Sequence, residues 1–352
     1  MSNSTAMRTT HGMFRDTVIA GAAVRRVSPQ DPVTVSAEST LRTARGQTNA
    51  MTIDVEDYFQ VSAFERYVPR AQWGTMERRV EANTDVILSL LDDAGVTATF
   101  FTLGWIAKRH PSMLRRIVAG GHEVASHGWD HVRVTTMARD AFETDVRRAK
   151  HCLEDLSGQA VTGYRAPTYS FDHRTPWAHD VLADTGHRYS SSVAPVRHDL
   201  YGMPAASRFA YPAAEGRLLE VPISTAVVAG KNRMCAGGGW FRLYPYALTR
   251  RLIGRLNHEE GQSAVFYLHP WEIDAMQPRV AGIDRRTRFR HYLNLGKVES
   301  RVGALLRDFR WDRMDRVFAA DLAQLEHDAP GSVSTAVDGP APRRSHDGDR
   351  AA

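Results

Sequence analysis

The sequence predicts an α/β fold in which parallel strands form a sheet or a barrel, and three observations favour this class. Short apolar or β-branched runs alternate with amphipathic helical patterns along most of the 352 residues. A carboxylate, histidine or arginine follows several of these runs, at the strand end where α/β folds place their chemistry. The hydrophobic content of 43% is sufficient to bury a large core.

Seven apolar or β-branched runs predict strands: Ala50–Ile53, Thr97–Phe101, Glu123–Ser126, Val161–Tyr164, Tyr189–Val193, Leu218–Ser224 and, as the last strand, Ala264–Leu268. Helical periodicity, with Pro at starts and Gly at ends, predicts helices over residues 76–94, 111–119, 142–156, 175–185, 248–256 and 298–309. Thr175 is the expected cap of the fourth helix. Gly237–Phe241 is expected to be a flexible loop.

The predicted domain organisation has one catalytic unit between two disordered ends. Residues 1–48 form an expected disordered leader, residues 49–322 the folded domain, and residues 323–352 a disordered tail rich in Pro, Gly and Ser. The leader holds six Arg against three acidic residues, so it supplies +3 of the net charge of +5. The remainder is mildly basic and lacks a basic stripe interleaved with aromatics, which argues against nucleic-acid binding.

Cysteine usage and hydropathy exclude further classes. Cys152 and Cys235 lie far apart in different kinds of segment, which excludes a disulfide framework and a cysteine-based zinc site. The longest apolar run near the start, Val18–Val24, is too short for a membrane helix and makes a poor signal peptide. We therefore expect a cytoplasmic protein without a transmembrane segment, and association at the membrane periphery stays open.

Three carboxylates follow the first predicted strand. Asp54, Glu56 and Asp57 come directly after Ala50–Ile53. Crowded carboxylates repel one another and cost desolvation, so they indicate a cation, a shared proton or a catalytic task. Alone, they fit a helix cap and a solvated turn equally well.

Two histidines follow the third predicted strand. His127 and His131 are four residues apart, so both imidazoles can face one point if the segment turns helically. Imidazole together with a carboxylate suits zinc or another divalent transition metal, with open positions for water and substrate. The pair alone is more typical of surface or hydrogen-bonded histidines, and only the carboxylates favour a metal site.

Two further strand ends carry functional candidates. Arg165 precedes the stiff turn at Pro167, where it can clamp a carboxylate through two hydrogen bonds or form an ordinary surface salt bridge. His269 follows the last predicted strand, where it can act as a general acid, although a lone histidine there is more often structural.

Taken in order, these motifs resemble those of the NodB-type polysaccharide deacetylases, carbohydrate esterase family four. The motifs are the carboxylates from Asp54, His127-x-x-x-His131, Arg165-Ala166-Pro167 and Leu268-x-His269. The match covers roughly Ala50 to Asp274. The stretches Asp54–Phe59, Gly238–Arg242 and His269–Glu272 further resemble the branch found with exopolysaccharide and exosortase gene clusters, which implies that residues 230–322 belong to the same unit.

The resemblance implies a distorted β/α barrel with a C-terminal helical extension, and metal-dependent removal of N-acetyl groups from an aminosugar polysaccharide. It implies that Asp54 is the base, that Arg165 orients it, and that His269 is the acid. His127 and His131 would hold a divalent metal, with zinc the first expectation.

The third metal ligand stays open between two residues. The family has two adjacent aspartates in its first motif, whereas Val55 separates Asp54 from Glu56 here. The ligand is therefore Glu56 or Asp57, and the two-residue period of an extended chain slightly favours Glu56.

The implied substrate contacts include a departure from the family. Thr168 stands where the family has an aromatic residue, and Tyr169 follows it. A backbone N–H near Thr168 could still stabilise the oxyanion. Tyr169, Trp240 and Trp271 are candidates to stack on sugar faces, with core packing as the alternative.

Two other functions remain compatible with the sequence. One is hydrolysis of a small amide or ureide on the same barrel, which a closed pocket would favour. The other is a catalytically silent carbohydrate-binding component of an exopolysaccharide assembly complex. The expected partner is otherwise an N-acetylated aminosugar polysaccharide or oligosaccharide.

Overall fold

A nine-stranded sheet forms the centre of the computed structural model, which describes residues 46–199 and 201–328. Its strands are β1 (Thr48–Val55), β2 (Thr99–Thr102), β3 (Glu123–Ser126), β4 (Gly163–Tyr164), β5 (Tyr189–Ser190), β6 (Tyr211–Ala213), β7 (Leu218–Glu220), β10 (Val265–Leu268) and β11 (Arg310–Asp312). The order is β10-β1-β2-β3-β4-β5-β7-β6, and β11 pairs with the start of β1. Only the β6–β7 pairing in this sheet is antiparallel.

Helices follow most of the strands. They are α1 (Val80–Asp93), α2 (Gly104–Arg109), α3 (Pro111–Ala119), α4 (Arg139–Ser157), α5 (Ala178–Asp184), α6 (Gly238–Leu243), α7 (Tyr246–His258), α8 (Arg285–Tyr292), α9 (Val298–Asp308), α10 (Met314–Val317) and α11 (Ala319–Asp328). Among the residues that the structure describes, no helix is both long and apolar enough to cross a membrane.

The central strand β1 is buried along nearly its whole length, as expected of a parallel strand with covered faces. Its register aligns Ile53 with Leu268 of β10 and Asp54 with Phe101 of β2. Because neighbouring strands run in the same direction, their carboxyl ends lie at one edge of the sheet. The candidate catalytic and metal-binding side chains predicted from the sequence lie at this edge.

Hydrogen bonds beyond the regular strands bring the ends of the sheet together. The Val265 amide donates to Ser224 Oγ at 2.7 Å, and the Tyr267 amide donates to Ala236 O at 3.2 Å. Between Ser224 and Ala236 lies an antiparallel hairpin of β8 (Thr225–Val228) and β9 (Lys231–Met234). The segments that follow β7 therefore hydrogen-bond to β10, which lies at the other edge of the sheet, and this closes the sheet. The prediction of a distorted β/α barrel is confirmed.

The expected flexible loop at Gly237–Phe241 is wrong, because α6 begins at Gly238. Gly237 and Gly238 have φ angles of 126° and 53° and pack against Tyr267. A Cβ atom at Gly237 would lie 2.1 Å from Tyr267 O, so the close approach requires glycine. Here the glycines serve packing and a helix start rather than flexibility.

Three other expectations need correction. Strand β11 follows the segment predicted to be the last strand. Thr175 does not cap a helix with its side chain: its Oγ1 donates to Asp172 O, and α5 begins at Ala178. The tail boundary at residue 323 is wrong because α11 continues to Asp328.

The leader prediction mostly concerns residues 1–45, which lie outside the described residues, while Thr48 already belongs to β1.

Candidate active site

Four strand ends deliver the predicted chemical residues to one cavity of about 580 Å³. Asp54 lies at the end of β1, His127 follows β3, Arg165 follows β4 and His269 follows β10. Asp54, His127 and His269 line this cavity, and Arg165 is fully buried behind Asp54. The parallel sheet therefore joins motifs that are widely separated in sequence.

Arg165 holds Asp54 by a single strong contact. Its Nη1 donates to Asp54 Oδ1 at 2.6 Å and also to Thr52 Oγ1 at 2.7 Å. Its Nη2 donates to Ser191 Oγ at 3.0 Å. The predicted two-bond clamp on the carboxylate is therefore wrong, because Nη2 of Arg165 bonds to Ser191, directly after β5, and not to Asp54. Asp54 Oδ2 remains directed into the cavity, 4.0 Å from His269 Nε2.

Glu56, His127 and His131 form a buried cluster that could hold a metal ion. One ligand atom from each lies within 4.8 Å of the others. His127 Nδ1 lies 2.9 Å from the carbonyl of Arg165, so it donates there and leaves Nε2 for a ligand. Burial lowers the pKa of His127 to about 4, which keeps the imidazole neutral as metal binding requires.

An orphaned oxygen in this cluster fits a cation. Glu56 Oε2 is buried without a hydrogen-bond partner in the described part of the chain, although His131 Nε2 lies 2.8 Å away. Burial alone would raise the pKa of Glu56, but His131, His269 and His127 outweigh it and lower this pKa to about 2. The carboxylate is thus charged, and its Oε2 faces the ring nitrogen of His131, with which it can share a metal; without a metal, the same 2.8 Å contact is the ion pair that lowers the pKa.

The two histidines meet by a loop rather than by the helical turn that their spacing suggested. Gly128 and His131 both have left-handed backbones, with φ angles of 76° and 60°. Asp145 Oδ2 accepts from the Trp129 amide at 3.0 Å, and Arg70 donates to the carbonyl of His131 at 3.1 Å. The loop is therefore held from both sides in a conformation that the His-x-x-x-His pattern does not reveal.

Asp57 lies outside this cluster, which corrects its place among the possible ligands. Its Oδ2 accepts from the amides of Arg79 and Val80 at 2.9 and 3.1 Å, at the start of α1. Its Oδ1 accepts from the Tyr58 amide at 2.9 Å. Burial raises the pKa of Asp57 to about 6, against the lowering effect of these hydrogen bonds. Of the two candidates, only Glu56 has the position of a ligand.

His269 is held by a buried ion pair that the sequence patterns did not assign. Its Nδ1 lies 2.9 Å from Glu272 Oε2, and Glu272 Oε1 accepts from Arg242 Nε at 2.7 Å. Burial lowers the pKa of His269, but Glu272, Glu56 and Asp54 together raise it to about 9. The ring is therefore protonated near neutrality, and its Nε2 lies between the two carboxylates, 3.6 Å from Glu56 Oε1 and 4.0 Å from Asp54 Oδ2.

The four predicted substrate contacts have different surroundings. Thr168 and Trp240 line the cavity and are partly exposed, and Thr168 Oγ1 lies 2.5 Å from Ser62 Oγ. The Tyr169 amide already donates to Ala166 O, so the Thr168 amide is the remaining oxyanion candidate. The Tyr169 hydroxyl is buried and has no partner among the described residues.

Trp271 does not offer a face to a sugar. Its ring stacks between His269 and His291, with centroid distances of 5.1 and 4.3 Å. Its Nε1 donates to Glu56 Oε1 at 3.1 Å. Trp271 therefore orients a candidate metal ligand, and the stacking role expected from its position is wrong.

Comparison with known proteins assigns two regions. Residues 70–190 match the polysaccharide deacetylase family, and residues 191–319 match a domain of unknown function, DUF3473. The chain is 30% identical over 107 residues to the peptidoglycan deacetylase of Helicobacter pylori, covering 30% of this chain and 36% of that protein. It is 35% identical over 111 residues to a chitooligosaccharide deacetylase of Sinorhizobium fredii, covering 31% of this chain and 49% of that protein.

A solved structure supports the fold over a longer range. A Mycobacterium smegmatis protein, provisionally assigned as a polysaccharide deacetylase, superposes with a TM-score of 0.53 and 21% identity. That superposition covers 80% of this chain and 92% of the other. Residues 70–190 therefore match the polysaccharide deacetylase family, as the motifs indicated, and the superposition supports a shared fold over most of the chain. It spans less than half of the two curated relatives' lengths, so their activities do not transfer directly.

Proposed function

We propose that this protein is a metal-dependent deacetylase that removes N-acetyl groups from an aminosugar polysaccharide or oligosaccharide. One observation carries the proposal: a Glu–His–His cluster lies beside Asp54, and a second ionisable group, His269, faces Asp54 at 4.0 Å. Amide hydrolysis needs a base for the water and an acid for the departing amine, and both are present at this distance.

Glu56, His127 and His131 would hold the metal, with zinc the first expectation from two imidazoles and a carboxylate. When bound, a divalent ion supplies Lewis-acid polarisation of the acetyl carbonyl and a lowered pKa for water.

The protein's own groups divide the proton transfers between them. Asp54 accepts the water proton at Oδ2, because Arg165 occupies Oδ1. The Thr168 amide donates to the developing oxyanion. His269 donates its Nε2 proton to the leaving amine, because Nδ1 is bonded to Glu272. The products are acetate and a free amino sugar.

The cavity favours a glycan over a small amide or ureide. It extends from Asp54 past Trp240 to Phe289 and Arg290 on α8, well beyond the space that one acetamide needs. Exopolysaccharide biosynthesis, an assembly complex and a cytoplasmic place of action stay predictions from the sequence.

The test combines acetate release from N-acetylglucosamine oligomers with metal analysis of two neighbouring variants. We expect about one metal per chain, loss of turnover with a chelator, and recovery with zinc. Glu56→Gln should weaken metal binding by more than the roughly 10- to 100-fold typical of outer-shell changes. Asp57→Asn is the matched control and should retain the metal.

Two outcomes would decide against the proposal. Undiminished metal content and turnover in Glu56→Gln would refute the ligand assignment. One bound metal with no turnover on any aminosugar oligomer would favour the carbohydrate-binding alternative.

A further inference from the structure

The outer end of the active-site cavity has a charge opposite to that of its inner end. Asp54 and Glu56 line the inner end, whereas Arg286 and Arg290 of α8 contribute to the lining at the other side. Both arginines are exposed, with side-chain exposures of 69% and 46%. The exposed part of the cavity lining therefore carries cationic groups, whereas the carboxylates line its buried part.

Helix geometry directs these arginines to one side together with an aromatic ring. Arg286, Phe289 and Arg290 are spaced i, i+3 and i+4, which places them on the same face of α8. Phe289 is 60% exposed and also lines the cavity. An exposed aromatic ring beside guanidinium groups suits a sugar that carries both an apolar face and a negative charge.

The local acidic partner does not neutralise the pair. Both arginines donate to the same oxygen, Asp199 Oδ2, at 3.1 Å each. His198 Nε2 lies 3.1 Å from the other carboxylate oxygen, and burial lowers the pKa of this histidine. One carboxylate thus serves two guanidinium groups, which together carry ten N–H donors and leave a net positive charge.

The cationic face is held rigidly relative to the reacting groups. At the start of α8, Asp284 Oδ1 accepts from the Thr287 amide at 2.9 Å. At its end, Arg242 Nη1 donates to the carbonyl of Arg290 at 3.0 Å, and the same Arg242 binds Glu272 beside His269. The arginine that supports the proposed acid therefore also fixes the position of the cationic helix.

From these contacts we infer that Arg286 and Arg290, with Phe289, form a subsite for an anionic substituent of the glycan, so that the preferred substrate is an acidic N-acetylated polysaccharide. The inference rests on the proposed deacetylase function and specifies its substrate class. The anion is a carboxylate or a phosphate carried by a sugar near the one that loses its acetyl group.

The experiment compares three oligosaccharides of equal length: a neutral N-acetylglucosamine oligomer, a hyaluronan oligomer with alternating carboxylates, and an N-acetylglucosamine oligomer with a terminal phosphate. Acetate release and calorimetric binding are measured for each. We expect tighter binding of one or both acidic oligomers, weakened by salt. The acidic oligomer that is preferred identifies the source of the charge.

Matched variants on the same helix locate the effect. The double change Arg286→Gln and Arg290→Gln should lower the preference for the acidic over the neutral oligomer by roughly 10- to 100-fold. Arg285→Gln with Arg288→Gln removes the same charge from exposed positions outside the cavity lining and should preserve the preference. Asp199→Asn removes the competing carboxylate and should increase it.

Equal binding of acidic and neutral oligomers by the unmodified protein would overturn the inference. An equal loss of preference in both double variants would also overturn it, since the overall positive charge of α8 would then explain the preference for acidic oligomers. If no oligomer releases acetate, the proposed function fails, and the binding measurements still decide whether the subsite exists.

Discussion

Asp54 and His269 face each other across the cavity, yet they are held in opposite ways. The partner of Asp54 is Arg165, 111 residues away along the chain, which reaches it from another strand end. The partner of His269 is Glu272, three residues further along, and Arg242 supports that carboxylate from α6. The proposed base thus depends on sheet topology, whereas the proposed acid depends on a local turn and one buried ion pair.

This difference shows what each matched region contributes to the site. Arg165 lies in the part that matches the deacetylase family, residues 70–190. His269, Glu272 and Arg242 all lie in residues 191–319, the region of unknown function. We infer that the second region belongs to the catalytic unit, because residues 70–190 contain Arg165 but neither His269 nor the Glu272 that positions it.

Removing the base should have the largest effect on turnover. We expect Asp54→Asn to lower kcat by about 10²- to 10⁴-fold, because the amide cannot accept the water proton. Steady-state acetate release at saturating oligomer measures this change. Metal content should be retained, since Glu56, His127 and His131 are intact.

Asp54→Asn also leaves the buried Arg165 charge without its counterion, so folding must be checked separately. Circular dichroism and the thermal midpoint provide that control. A well-folded, metal-loaded Asp54→Asn protein with full kcat would contradict the assignment of the base.

Removing the charge that positions the proposed acid should lower kcat less than removing the base does. We expect Glu272→Gln to lower kcat by about 10- to 100-fold with little change in KM, because His269 stays but loses its orienting charge. Glu259→Gln on the exposed surface after α7 is the matched control and should behave as the unmodified protein. An increase in KM at constant kcat would instead assign Glu272 to substrate binding.

A third variant tests whether Asp57 stabilises the fold or binds the metal. Asp57→Asn should lower the free energy of unfolding by about 1 kcal/mol, because both carboxylate oxygens of Asp57 accept amide hydrogen bonds and Asn has only one acceptor oxygen. Denaturant unfolding measures the loss. Turnover per folded molecule should persist, and its disappearance together with the metal would return Asp57 to the list of ligands.

Sequence patterns predicted the parts of the site that depend on local structure. Strand periodicity located the ends from which Asp54, His127, Arg165 and His269 project, and parallel topology brings those ends together. The choice between Glu56 and Asp57 could not be made locally, because Asp57 accepts from the backbone at residues 79 and 80.

The missed features are those that depend on long-range contacts. Arg242 supports Glu272 across 30 residues, and no periodicity indicates such a pair. The Gly237–Gly239 run suggested a flexible loop, but the glycines permit close packing on Tyr267 and the start of α6. The signal in the sequence was the resemblance of Gly238–Arg242 and His269–Glu272 to one branch of the family, because these stretches end at the two residues that form the pair.

The smallest predicted effect concerns a carboxylate at the opposite end of the barrel. Glu123 begins β3, whereas His127 follows the end of that strand. Its oxygens accept from Thr99 Oγ1 at 2.5 Å and from the Tyr189 hydroxyl at 2.8 Å. Burial, reinforced by Asp315, raises the pKa of Glu123 to about 7. This end of a β/α barrel usually serves stability rather than chemistry.

The raised pKa fixes the sign of a pH effect on stability. Between about pH 4.5 and pH 7 the folded protein keeps the Glu123 proton while the unfolded chain has released it, so this group's contribution to stability falls as pH rises. Glu123→Gln should therefore stabilise the protein more at pH 8 than at pH 5, as measured by urea unfolding. Glu299→Gln on the exposed face of α9 is the control. An equal effect at both pH values would show that Glu123 is ionised throughout.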